Sequence, residues 1–197
     1  KKKKKKKKFF FFIKPTVVFL AQTLAIFMGF FTRVVFTRTL SEGYVGINGL
    51  FTDILNILSL SELGVGTAIT YALYAPIARR DIKKQQILMR MFRNFYRITA
   101  GFVLLAGLCL IPFLDILMKD RPDVNHLIII YLLYLLNSVV SYLLIYKKTL
   151  VDAHQMNYIT VMYHNGFLVL QDILQIMVLF LTRNFILFLV IAVVCTI

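Results

Sequence analysis

Cysteine is scarce in this chain: Cys109 and Cys195 are the two present, each inside an apolar run with no histidine or second cysteine nearby. Metal-ligand spacing is therefore absent, and both read as small buried hydrophobes that say nothing about redox compartment. Acidic residues are few, nine against 23 basic ones, and no loop carries a paired acidic motif. There is no His–Cys cluster, no nucleophile elbow and no phosphate-binding loop. The sequence thus argues against an enzyme and names no catalytic residue, no metal and no cofactor. Long polar stretches are missing as well. Of 197 residues, 59% are apolar and 16% charged, with a mean hydropathy of +0.78. Apolar runs of about 20 residues recur from end to end, which excludes a soluble domain and predicts an all-α membrane protein.

The formal charge is +14, of which Lys1–Lys8 supply eight, leaving +6. The opening KKKKKKKKFFFF is two homopolymers without a leading methionine, and residues 1–14 read as a low-complexity basic and aromatic segment at the edge of a fragment. The alternative is a polybasic arm drawn to anionic lipid. No basic surface with interleaved aromatics follows, so the partner expected is the lipid bilayer and no nucleic acid.

From residue 15 onward the pattern predicts a transmembrane helical lobe of about six spans, at about 15–37, 47–74, 98–118, 127–146, 159–182 and 185–197. The last has only 13 residues, too short to cross, so a truncated chain is expected. Residues 38–49, with Gly43, Gly46 and Gly49 at every third position, read as a turn-rich link. Pro112 is placed to kink the third span. Between the second and third spans, residues 75–97 carry seven basic residues against Asp81, and Ile82, Gln86, Met89 and Phe92 recur at helical spacing. That combination predicts a basic amphipathic helix lying at the membrane surface. Setting the homopolymer aside, ten basic residues fall on one side of the membrane and four on the other. The positive-inside rule then puts the N-terminus in the cytoplasm.

Several spans carry polar residues on one face. In the first, Gln22, Gly29, Arg33 and Thr37 share a stripe. Arg33 is either part of a wet pathway or snorkels to the nearer interface. In the second, Asn56, Ser59, Glu62, Gly66 and Thr70 fall within a sector of about 120°. Glu62 in mid-span is either functional or interhelical glue. In the fourth, Tyr131, Tyr134, Asn137, Ser138, Ser141 and Tyr142 fall within about 140°. Rings that stack and hydroxyls that exchange hydrogen bonds suit a cavity meeting sugar, and they equally suit helix packing. The fifth gathers His164, Asn165, Gln171, Asp172 and Gln175. His164 and Asp172 are two turns apart and could bracket one cavity. Polar faces on this many helices are what a translocation pathway needs and a simple anchor lacks.

The stretches EGYVGINGLF (Glu42–Phe51), LSLSELGVGTAITYALYAPIARRD (Leu58–Asp81), SYLLIYKK and DAHQMNY (Asp152–Tyr158) resemble bacterial polysaccharide and O-antigen flippases. These are the Wzx-type members of the multidrug/oligosaccharidyl-lipid/polysaccharide exporter superfamily. The resemblance runs from about Pro15 to Ile197. It implies one lobe of a two-lobed transporter in the bacterial cytoplasmic membrane, whose missing C-terminal lobe would be a partner. The implied substrate is an undecaprenyl pyrophosphate-linked glycan, and polysaccharide assembly proteins are implied neighbours. Under it, Arg33 would receive the pyrophosphate, the Tyr and amide faces would receive sugar, and Glu62 and Asp172 would be candidates for ion coupling. The expected pathway residues are thus Gln22, Arg33, Asn56, Glu62, Tyr131, Tyr134, Asn137, Ser141, Asn165, Gln171, Asp172 and Gln175. The rivals are a drug or metabolite exporter of the same superfamily, a membrane glycosyltransferase or polymerase, and a non-transporting component of a polysaccharide assembly system.

Overall fold

The computed structural model describes residues 2–59, 64–114, 126–154 and 156–196, with side chains described from Thr16 onward. Every regular element among them is helical. In chain order these are α1 (Lys2–Thr39), α2 (Glu42–Ser59), α3 (Val65–Ala78), α4 (Ile82–Leu110), a 3-10 turn at Ile111–Phe113, α5 (Leu127–Ala153), α6 (Asn157–Thr182) and α7 (Phe185–Thr196). Four segments are long and apolar enough to cross a membrane: Thr16–Thr39, Ile82–Phe113, Leu127–Ala153 and Asn157–Thr182. The chain is thus consistent with a multi-pass membrane protein, with four candidate spans among the described residues rather than the six expected.

The difference has three local causes. The expected span 47–74 is divided, because α2 ends at Ser59 and α3 begins after Gly64, whose φ of 86° lies in the left-handed region that only glycine adopts freely. Glu62 lies outside the described residues. The stretch 38–49 is not a turn-rich link. Only Leu40 and Ser41 interrupt the chain, and Gly46 and Gly49 lie within α2, where a Cβ would meet nothing within 4 Å. The last helix has 12 residues, about 18 Å at the helical rise, against a hydrocarbon core of about 30 Å.

The basic segment 75–97 and the span 98–118 are likewise not two elements. A turn at Arg79–Asp81 ends α3, and the Asp81 carboxylate then caps α4 by accepting from Lys84 N at 3.1 Å. From there a single helix of 29 residues runs through the basic stretch into the apolar one. Phe92, Tyr96, Thr99, Ala100, Val103 and Gly107 form an unbroken buried stripe along it. No glycine–proline breaker separates the halves, and the same face packs throughout. Pro112 closes α4 within the 3-10 turn. Likewise, α5 runs past the expected end at 146 to Ala153.

Two helix pairs hold the bundle. Tyr131 meets Gly107, Tyr142 stacks 6.3 Å from Tyr96, and Tyr146 shares a cleft with Met89 and Arg93, so α4 and α5 run antiparallel. Gln22 meets Asn165 and Gly29 meets Asp172, so α1 and α6 run parallel. Helix α7 folds back between α5 and α6, and its Phe185 packs on Phe36, Tyr44 and Phe188 at centroid distances of 5.3–5.9 Å. Helix α3 leans on α4 and α5, and α2 touches α5 through Phe51, whose ring lies edge-on to Tyr131 at 5.1 Å. This topology brings the basic half of α4, Lys147 and Lys148 of α5, and the first half of α1 to one end of the bundle.

Candidate functional site

Helix α5 supplies the polar surface around which the site is built. Its apolar residues Ile130 and Leu135 are fully buried in the bundle, while its hydroxyls and amides look sideways into two cavities. One, of about 340 Å³, lies between α2 and α5 and is lined by Thr52, Leu55, Asn56, Tyr134, Asn137, Ser138, Ser141, Tyr142 and Ile145. The other, of about 600 Å³, lies between α5, α6 and the last turn of α7; its polar lining includes Ser141, Lys147, Lys148, His164, Gln171 and Thr196. Both cavities touch Ser141 and Ile145, so the two flank the same turn of α5.

Most of these polar groups are already engaged. Tyr134 donates its hydroxyl to Asn48 Oδ1, and its ring packs edge-on against Phe51 at 5.8 Å. Asn137 Oδ1 accepts from the Thr196 hydroxyl at 2.8 Å, which ties α5 to the end of α7. Ser141 donates back to Asn137 O at 3.0 Å and lines both cavities. The remaining capacity is that of acceptors and amide donors, suited to a ligand rich in hydroxyl groups. Among the described residues, the smaller cavity has no Asp or Glu in its lining.

The other expected residues are distributed differently. Tyr131 shares the polar arc of α5 but faces a helix seam, fully buried and donating to Gly107 O at 2.8 Å. Its neighbour Gly107 packs closely, because a Cβ there would stand 2.4 Å from Leu135 Cδ1 and force that side chain to shift. Asn165 is buried on α6 and donates to Gln22 Oε1 at 2.9 Å. A Cβ at Gly29 would be 3.9 Å from Asp172 Oδ2, and the Thr32 hydroxyl lies within hydrogen-bonding reach of the same carboxylate. Gln175 is buried and donates to Phe188 O at 3.1 Å. So Gln22, Asn165, Asp172 and Gln175 meet partners inside the protein. Gln171 alone of the expected α6 set lines a cavity, together with His164. His164 and Asp172 do not bracket one cavity: the first lines the larger cavity and the second faces α1.

Arg33 is exposed, with its guanidinium carbon 5.7 Å from the Phe36 ring centroid, and it lies within electrostatic reach of Tyr134. It is not among the residues that line the smaller cavity. Cys109 is exposed rather than buried, and Cys195 lines the larger cavity. No group of three His, Cys, Asp or Glu gathers among the described residues.

Asn48, Thr52 and Thr196 were not singled out from the sequence, yet Thr52 lines the smaller cavity, and Asn48 and Thr196 bond two of its lining residues, Tyr134 and Asn137. Asn48, Thr52 and Asn56 recur every four residues, which is one helix face; reading the glycines of 43–49 as a break concealed it. Lys147 and Lys148 entered only as topology markers, although both lie on the larger cavity. Compared with protein-family models, curated proteins and solved structures, the chain gives no match.

Proposed function

We propose that this chain is a helical lobe of an exporter that moves a lipid-linked oligosaccharide or polysaccharide precursor across the bacterial cytoplasmic membrane, with its N-terminus in the cytoplasm. One observation carries the reading: Asn56, Tyr134, Asn137, Ser138 and Ser141 surround a cavity of about 340 Å³ on a helix otherwise apolar enough to cross a membrane. A glycan exchanges hydrogen bonds with such groups and stacks on tyrosine rings. Arg33, exposed on α1, has the fork geometry that suits a pyrophosphate, and an undecaprenyl pyrophosphate-linked glycan combines both demands. The basic residues gathered at one end of the bundle support a cytoplasmic N-terminus. Glu62 and Asp172 are the acids proposed for ion coupling. The acid-free lining of the described cavity disfavours an exporter of organic cations, which a wet carboxylate would attract.

The test is glycan export in cells that depend on this protein, normalised to the amount in the membrane. Asn137→Leu combined with Ser141→Leu fills the cavity and removes two hydrogen-bonding groups; export should fall about tenfold or more, at about 1 kcal/mol per group. Tyr131→Phe, which leaves the cavity untouched, should export normally. Undiminished export by the filled variant would overturn the reading.

A further inference from the structure

We propose that the cleft between α4 and α5, which shares no lining residue with either cavity, binds the phosphate of an anionic phospholipid headgroup. The cleft measures about 350 Å³ and is lined by Gln86, Met89, Arg90, Arg93 and Tyr146. Arg90 and Arg93 are three residues apart on α4, so their side chains leave the same face. Arg93 Nε is buried and finds no hydrogen-bond acceptor among the described residues. A guanidinium N–H taken out of water without an acceptor is costly, and an anion in the cleft removes that cost. Among the described residues no carboxylate lines the cleft, and Asp81, the acid at the start of α4, is occupied in capping it. Two arginine forks, an amide and a phenol hydroxyl are the donor set that phosphate oxygens take.

Location distinguishes a lipid from a soluble phosphate. The cleft lies in the first three turns of α4, opposite the stretch of α5 that carries Lys147 and Lys148, where both candidate spans reach their basic ends. Immediately beside the arginines, Ile87 and Met91 are 66% and 55% exposed. A headgroup in the cleft would leave its acyl chains against these apolar side chains. Basic pockets between helices at the end of a span are the setting in which anionic headgroups bind. The proposal rests on α4 and α5 crossing the membrane, and its readout is binding, so it stands or falls separately from export.

The experiment uses the full chain, purified in detergent and titrated with phosphatidylglycerol or phosphatidylcholine, with bound lipid counted by native mass spectrometry. The protein should prefer phosphatidylglycerol. Arg90→Gln with Arg93→Gln should weaken that binding about tenfold or more, as expected for lost charge-assisted bonds. Arg79→Gln with Arg80→Gln removes the same charge from the same end outside the cleft and should weaken it less than about threefold, the share of diffuse attraction. Arg90→Lys keeps charge and loses the fork, and it guards against a double variant that does not fold; it should weaken binding severalfold on its own. Equal losses from the two glutamine pairs would overturn the proposal, as would undiminished binding by Arg90→Lys. Displacement of phosphatidylglycerol by an equimolar amount of inorganic phosphate would replace the lipid with a soluble anion and overturn it too.

Discussion

Along the α1–α6 seam two parallel helices meet through amides, a hydroxyl, a glycine and a carboxylate; along the α4–α5 seam two antiparallel helices meet through rings and a glycine. The first is held by an interhelical hydrogen bond between side chains, Asn165 to Gln22, and by the close approach of Gly29 to Asp172. The second is held by close packing, with Gly107 against Leu135 and Tyr96 against Tyr142, and by one bond from Tyr131 to the backbone. In a membrane, lipid tails are as apolar as leucine, so helix association has to come from contacts of these two kinds. The pair shows that a polar stripe on an apolar helix does not by itself announce a cavity. On α6 the same stripe supplies one seam and one edge of a cavity.

The largest effect should come from the packed seam. Gly107→Leu drives a side chain into Leu135, itself 1% exposed. A loss of about 3 kcal/mol is expected, the upper part of the range for overpacking. Leu135→Ala in the same chain should recover part of it, measured as the midpoint of unfolding in mixed micelles. Unchanged stability of Gly107→Leu would mean that α4 and α5 do not approach closely.

The polar seam should respond less. Asn165→Leu leaves Gln22 Oε1 without its donor and should cost about 1–2 kcal/mol. In a double-mutant cycle, adding Gln22→Leu should then cost little more, because the orphaned acceptor is gone. Two independent, additive losses would show that the two amides face something other than each other. The smallest effect is expected for Tyr131→Phe, which removes one hydroxyl and keeps the ring, for about 0.5–1.5 kcal/mol. The same unfolding measurement checks it, and a loss larger than that for Asn165→Leu would reverse the ranking of the two seams.

Much of the helical order was legible in the sequence, because apolar runs of span length at 127–146 and 159–182 lie within α5 and α6. The breaks were not. Gly64 divides a continuous apolar run by its backbone conformation, which hydropathy does not register, whereas three glycines at 43–49 do not break a helix at all. The join within α4 was missed because charge changes abruptly near residue 97 while the buried stripe from Phe92 to Gly107 does not. At the site, projection placed Tyr134, Asn137, Ser138 and Ser141 on one side of α5, and the cavity gathers them together with Asn56. Tyr131 sits at the edge of the same arc, and only the neighbouring backbone of α4 decides that its hydroxyl turns to Gly107. No periodicity within one helix carries that information.

The unbroken length of α4 has a geometric consequence. Its 29 residues span about 43 Å at the helical rise, roughly 13 Å more than the hydrocarbon core. To sit wholly inside, the helix would have to lean by about 46°, steeper than the range of up to about 40° that spanning helices show. A helix of this length that crosses a bilayer stands out of it by about two turns, and the end of α4 suited to water is the one beginning at Ile82, with Lys83 and Lys84. Because those turns continue the same rod that is wedged against α5, a partner pulling on them from the aqueous side would act as on the long arm of a lever, with the Gly107–Leu135 contact far along the shaft.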